Sequence, residues 1–96
     1  MIHAKKVRPE FFKALQTGSK RFELRREDPE EPRYAVGDYL ALNEWAPDSG
    51  YTGRCLLFLI TWLFRDPEFL SPGCVALSIK LAPLCFDDVA AAQLRD

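Results

Sequence analysis

Thr17-Gly18-Ser19-Lys20-Arg21-Phe22-Glu23-Leu24-Arg25-Arg26 is the stretch in which this chain leaves a helix and enters a strand, and the reading of the rest turns on it. Just upstream, Pro9-Glu10-Phe11-Phe12-Lys13-Ala14-Leu15-Gln16-Thr17 has the marks of a short helix. Pro9 suits the first helical position, Glu10 meets the positive end of the dipole, and Gly18 can take the left-handed conformation that stops the helix. Phe11, Phe12 and Leu15 supply its apolar stripe. After Gly18 the period changes from helical to two, which sets Phe22 and Leu24 on one face of a strand and Arg21, Glu23 and Arg25 on the other. The apolar pair is expected in the core. The charged set is then turned away from it, with Glu23 and Arg25 leaving one face about 7 Å apart and Lys20 leaning over the same patch.

Working outward, a first strand is expected at about residues 2–7 and the second at 20–26. Glu27-Asp28-Pro29-Glu30-Glu31-Pro32-Arg33, with two prolines and four acids, reads as an exposed loop. Val36-Gly37-Asp38 is a turn that launches a strand at 39–45 with Leu40 and Leu42 inward, and Ala46-Pro47-Asp48-Ser49-Gly50 is again turn chemistry. Between Arg54 and Arg65 both faces are apolar, as for a strand of a closed barrel covered from outside. A loop at 66–73 precedes a last strand at 74–81, where Val75, Leu77, Ile79 and Leu81 alternate onto the buried face. The segment 86–94 reads as a short helix with Phe86, Val89, Ala90, Gln93 and Leu94 along one side. The expected fold is therefore mainly β (α+β): a small pseudo-barrel of five to six strands, one helix after the first strand and a short C-terminal helix, in a single domain over residues 1–96. Its core is expected to hold Phe11, Phe12, Leu15, Phe22, Leu24, Leu40, Leu42, Phe58, Ile60, Val75, Leu77 and Ile79.

Ninety-six residues, 48% of them hydrophobic, suffice for one compact core. The first residues lack the apolar run of a signal peptide, so a cytoplasmic location is expected, and the longest apolar run, 55–64, is too short for a membrane helix. Cys55, Cys74 and Cys85 are widely spaced and odd in number, which indicates neither a disulfide framework nor a zinc site. Cys55 and Cys74 read as buried, inert thiols, and His3 as a surface or rim residue without a catalytic role. No phosphate loop or dinucleotide fingerprint is present, and no cofactor is indicated. The net charge of −1 hides a polarity: residues 1–26 carry eight Lys or Arg against two acids, the remainder five against twelve. The basic segment is either a surface that attracts phosphates or a set of solvated charges balanced by Glu27, Asp28, Glu30 and Glu31.

Gly18, Lys20, Glu23 and Arg25 after a short helix fit a Gly-x-Lys-x-x-[Thr/Glu]-x-Arg pattern, and in this the chain resembles the ASCH domain, a relative of the PUA domain. Val36-Gly37-Asp38, Asn43-Glu44-Trp45 and Gly50-Tyr51-Thr52-Gly53-Arg54 follow in the order found in small, often phage-encoded ASCH-like proteins to which RNA binding has been ascribed. The resemblance covers roughly residues 2–81 and implies a PUA-like barrel. It also implies a module for RNA or a nucleotide-like ligand. Lys20, Arg21 and Arg25 would attract phosphate, Glu23 or Asn43 would meet polar base edges, and Trp45 or Tyr51 would stack on a base. Trp45 and Tyr51 can equally cap the barrel core, and Glu23 with Arg25 can be a surface ion pair worth about 0–1 kcal/mol.

Some ASCH proteins resemble amidohydrolases of acylated cytidine that use a lysine, a threonine three residues later and a glutamate from a later strand. Here Lys20 matches, but Glu23 holds the threonine position and the last two strands carry no glutamate. Both departures count against that mechanism, although Glu23 could serve as a general base on water with Lys20 stabilising an oxyanion. A third reading is a structural protein that uses its long apolar strand to form a homodimer; no membrane partner is expected, and the chain is expected to be a monomer or a weak homodimer.

Overall fold

The computed structural model describes residues 1–82; the helix expected at 86–94 lies outside them, as does Cys85. The elements follow as β1 (Ile2–Val7), α1 (Pro9–Thr17), β2 (Phe22–Arg26), β3 (Tyr39–Ala46), β4 (Gly50–Phe64) and β5 (Cys74–Leu81). The strands form one five-stranded sheet in the order β1-β3-β4-β5-β2, curled into a half-barrel. β3, β4 and β5 make an antiparallel meander. β1 adds to it parallel beside β3, and β2 antiparallel beside β5, so both N-terminal strands are edges.

α1 begins with Pro9 and ends at Gly18, whose φ of 83° only glycine adopts at little cost. The Gly18 N–H donates to the Leu15 carbonyl, and the Lys20 N–H donates to that of Ala14, which turns the chain back towards the sheet. Phe12 and Leu15 are buried by this packing, but Phe11 is 48% exposed, so the helix stripe is narrower than expected. Phe12 and Leu15 join Val7, Tyr34, Leu40, Leu42, Phe58, Ile60, Val75, Leu77 and Ile79 in one core inside the curl. Ala41 and Leu57 alternate onto the other face of the sheet, where Ile2, Ala4, Tyr39, Cys55 and Ala82 pack around them.

β2 is inverted relative to expectation. Its register pairs Glu23 with Leu77 and Arg25 with Val75, and directly paired residues share a face, so the two charged side chains stand on the core side. Phe22 pairs with Ser78 and Leu24 with Ala76 on the outer face, where they are 49% and 58% exposed. Glu23 is buried instead. Leu81, also expected inside, is exposed at the end of β5, and Cys55 and Cys74 are free thiols of intermediate burial.

In β4 the register slips between Ile60, opposite Ile79, and Trp62, opposite Ser78. This bulge at Thr61 shifts the alternation by one, leaving Ile60 inside and turning Trp62 and Phe64 outward beside Ser78 and Ala76.

One further correction concerns a polar residue. His3 is buried, not superficial: its Nε2 lies 2.8 Å from Asp38 Oδ2, and its ring sits 4.6 Å from that of Tyr34. Pairing of Ile2 with Tyr39 brings this about by setting the turn at Asp38 beside the start of β1. The acidic segment is exposed from Asp28 to Arg33, but it is pinned at both ends. Arg65 donates to both oxygens of Glu27 and to the carbonyl of Tyr34, and the Tyr34 N–H donates to Glu27.

Candidate functional site

β2 places its charged pair where the half-barrel is open, between its two edge strands. Arg25 Nη2 donates to the Lys6 carbonyl of β1 at 3.0 Å, so a side chain spans a seam that no backbone ladder closes. Beside it, Glu23 lies between two cations, with Oε2 3.2 Å from Lys20 Nζ and Oε1 3.7 Å from Arg25 Nη2. The second distance is too long for a hydrogen bond. Glu23 Oε1 and Arg25 Nε are both buried without a hydrogen-bond partner. Lys20 is held by the helix stop and donates to the Phe22 carbonyl at 2.7 Å, which fixes its ammonium near the Phe22 ring at 4.9 Å and the Phe11 ring at 5.9 Å.

The main chain of β2 adds to this. The Ile79 N–H donates to the Arg21 carbonyl and the Glu27 N–H to that of Gly73, so the ladder to β5 runs through the odd-numbered residues. The backbone groups of Phe22, Leu24 and Arg26 therefore point to the open edge. A cavity of about 270 Å³ lies there, lined by Phe11, Lys20, Phe22, Glu23 and Leu24. Lys20 also borders a second cavity of about 320 Å³, with Leu15, Leu56, Phe58 and Ile79 as its apolar wall and Arg21 and Lys80 at its rim. Arg21 is exposed, and its Nε donates to the Gly18 carbonyl at 3.0 Å.

Lys20, Glu23 and Arg25 thus meet, with Arg21 next to them, whereas Asn43, Trp45 and Tyr51 form a separate group on β3 and β4. Trp45 pairs with exposed Tyr51, and Lys6 Nζ stands 4.6 Å over its ring. Asn43 is buried on the strand face opposite to Leu42 and pairs with Lys6 and Cys55. Lys6 touches both groups, through its carbonyl to Arg25 and its ammonium to Trp45.

A buried carboxylate also exists at Glu44, whose two oxygens receive Arg54 Nε and Nη2, each at 2.8 Å, with Thr52 Oγ1 at 2.7 Å. The bonds from Arg54, then that from Thr52, hold its carboxyl below the usual carboxylate range. Arg54 lies 5.0 Å from the Phe12 ring, so this cluster closes one end of the core. Continuing the Leu40, Leu42 alternation by one step points Glu44 inward, a signal present in the sequence. Glu27 is lowered in the same way, chiefly by its bonds from Arg65. For Asp38, burial pushes upward, but the His3 bond and the N-terminal ammonium outweigh it and the net direction is down. Saturated by their partners, these three carboxylates are structural. Glu23 differs in having an oxygen to spare. Among the described residues no three His, Cys, Asp or Glu side chains gather as metal ligands, and no helix is long and apolar enough to cross a membrane.

Residues 2–79 match the family described as Domain of unknown function (DUF3850), and the chain belongs to that family. No curated protein matches it.

Proposed function

We propose that this member of the DUF3850 family is an ASCH/PUA-like module that binds RNA or a nucleotide-like ligand in the groove between α1 and the open edge of β2. The observation that carries this reading is the buried Glu23 oxygen without a hydrogen-bond partner beside a cavity. A buried polar atom left unsatisfied costs free energy that a ligand donor can recover. The amino or ring N–H groups of a nucleobase are such donors, and a carboxylate between two cations offers lone pairs and no donor of its own. The cavity, near the lower end of the range for ligand sites, has room for one base and not for an extended ligand. Phe11 and Phe22 supply apolar ring surface at its walls, while Lys20 and Arg21 supply charge for a phosphate.

Calorimetric titration with the nucleosides and their monophosphates tests this. Binding of at least one is expected, weakened about tenfold or more by Glu23→Gln, since a good base-edge contact is worth roughly 1–3 kcal/mol. Lys20→Ala is expected to reduce the preference for the monophosphate over the nucleoside. Absence of binding to all of them, or binding indifferent to Glu23→Gln, refutes the reading. Turnover of acylated cytidine by the wild type, abolished by the same substitution, would make the protein a hydrolase.

A further inference from the structure

The outer face of β2, β5 and the C-terminal part of β4 carries large rings in the open, and the register arranges them in rows. Phe22, Ser78 and Trp62 form one row across the three strands, and Leu24, Ala76 and Phe64 the next. Small residues occupy the central strand in both rows, so the face is a shallow trough with Phe22 and Leu24 on one wall and Trp62 and Phe64 on the other. With neighbouring strands about 4.8 Å apart, the walls stand roughly 10 Å from each other. Trp62 is 60% exposed and stacks on Phe64 at 6.0 Å, and Phe64 meets Phe69, 74% exposed, at 6.3 Å. The other half of the outer face differs, since Ala41 and Leu57 are buried there.

Charge on this face has one sign. Arg26 continues the β2 row beyond Leu24, Lys80 continues the β5 row beyond Ser78, and Lys20 reaches the Phe22 ring. None of the strand residues on it is acidic. Of the acids beside it in sequence, Glu23 stands on the opposite face of β2, Glu27 is bonded by Arg65, and Asp66 is turned into its own loop, where its Oδ1 accepts the Glu68 N–H. A second copy seated on the trough would bring an equally basic rim against this one. A polyanion with flat, apolar faces suits it better.

We infer that the outer face around Trp62, Phe64 and Phe22 is a stacking surface for the unpaired bases of single-stranded nucleic acid, with Arg26 and Lys80 contacting its phosphates. This surface lies on the opposite side of β2 from Glu23 and adjoins the groove, with which it shares Lys20, Phe22 and Leu24, while Trp62 and Phe64 belong to it alone. The inference takes from the groove reading only the class of partner.

Fluorescence anisotropy of labelled oligouridylate and oligodeoxythymidylate, each about twelve nucleotides long, tests it at low and moderate salt. Wild type is expected to bind one or both with an affinity that falls as salt rises. Trp62→Ala is expected to weaken binding on the order of tenfold or more, while Trp62→Tyr, which keeps a ring, retains most of it. Trp62→Ala is expected to leave nucleoside binding in the groove unchanged while it weakens oligonucleotide binding, so failure of one site is read separately from failure of the other. Thermal melts of Trp62→Ala check that the exposed position is tolerated. Lack of binding at low salt, or binding unaffected by Trp62→Ala, overturns the inference. So does sedimentation showing a wild-type dimer that Trp62→Ala dissociates, which would assign the face to a second copy.

Discussion

Glu23 occupies a place on the core side of β2 that a leucine could fill, and its neighbour Phe22 stands where a charged residue is usual. The exchange follows from the seam. Glu23 and Arg25 face the opening between the edge strands, where Lys20, the Lys6 carbonyl and the groove supply polar surroundings. Strict alternation makes it legible in sequence that Glu23 and Arg25 share a face. Which face lies inside is not legible there, because that depends on where the sheet fails to close. Stability measurements separate the two phenylalanines. Phe12→Ala, at a fully enclosed ring, is expected to destabilise by about 3–5 kcal/mol in chemical denaturation. Phe22→Ala, at a half-exposed ring, is expected to cost about 1 kcal/mol or less, well below the 3–5 kcal/mol that full burial would imply. Equal losses would return Phe22 to the core.

At the scale of elements, the bounds of α1 were readable because Pro9 and Gly18 mark them chemically, and β1, β3 and β5 because each alternates cleanly. β4 was not, since both of its faces are apolar and its bulge leaves no mark in composition. Yet the bulge at Thr61 decides which aromatics reach solvent. Deleting Thr61 would remove the extra residue and set Trp62 directly after inward-facing Ile60, so strict alternation would still turn Trp62 outward beside Ser78 and Leu63 inward beside Leu77. The expected outcome is a tryptophan emission that stays quenchable, with no blue shift, and a denaturation midpoint that changes only modestly. A blue-shifted, less quenchable emission with a large loss of stability would mean that the register is not set at this point. Asn43, Trp45 and Tyr51 belong to the same lesson. They stand on β3 and β4, and β2 pairs with β5 at one edge of the sheet, an order that alternation within single strands does not reveal.

For the whole molecule, charge is polarised in sequence but partly paired in space. Lys5 meets Glu31, Arg65 meets Glu27, and Arg54 meets Glu44. Glu27, Asp38 and Glu44 all have carboxyls lowered in the folded state. A group depressed on folding stabilises above its unfolded value and loses that contribution as pH falls through its folded value. Melting temperature is thus expected to hold near neutral pH and to drop below about pH 4, where unfolded carboxylates take up protons. A Glu27→Gln, Glu44→Gln double variant is expected to be less stable near neutrality and to show a smaller acid-induced drop. A wild-type melting temperature that stays level down to pH 3 would contradict the assignment.

The strand order also has a consequence in time. β3, β4 and β5 are neighbours both in sequence and in the sheet, whereas β2 must wait for a partner strand about fifty residues downstream. Until β5 exists, β2 has no ladder to join, and Glu23 has no face to stand on. The meander is therefore expected to nucleate, with β2 and its seam annealed to it afterwards. Substitutions in β3 and β4 should slow refolding, and substitutions in β2 should mainly hasten unfolding, a division that stopped-flow measurements can reveal. A chain released early from synthesis would already contain every residue of the groove around Glu23 and still lack the groove.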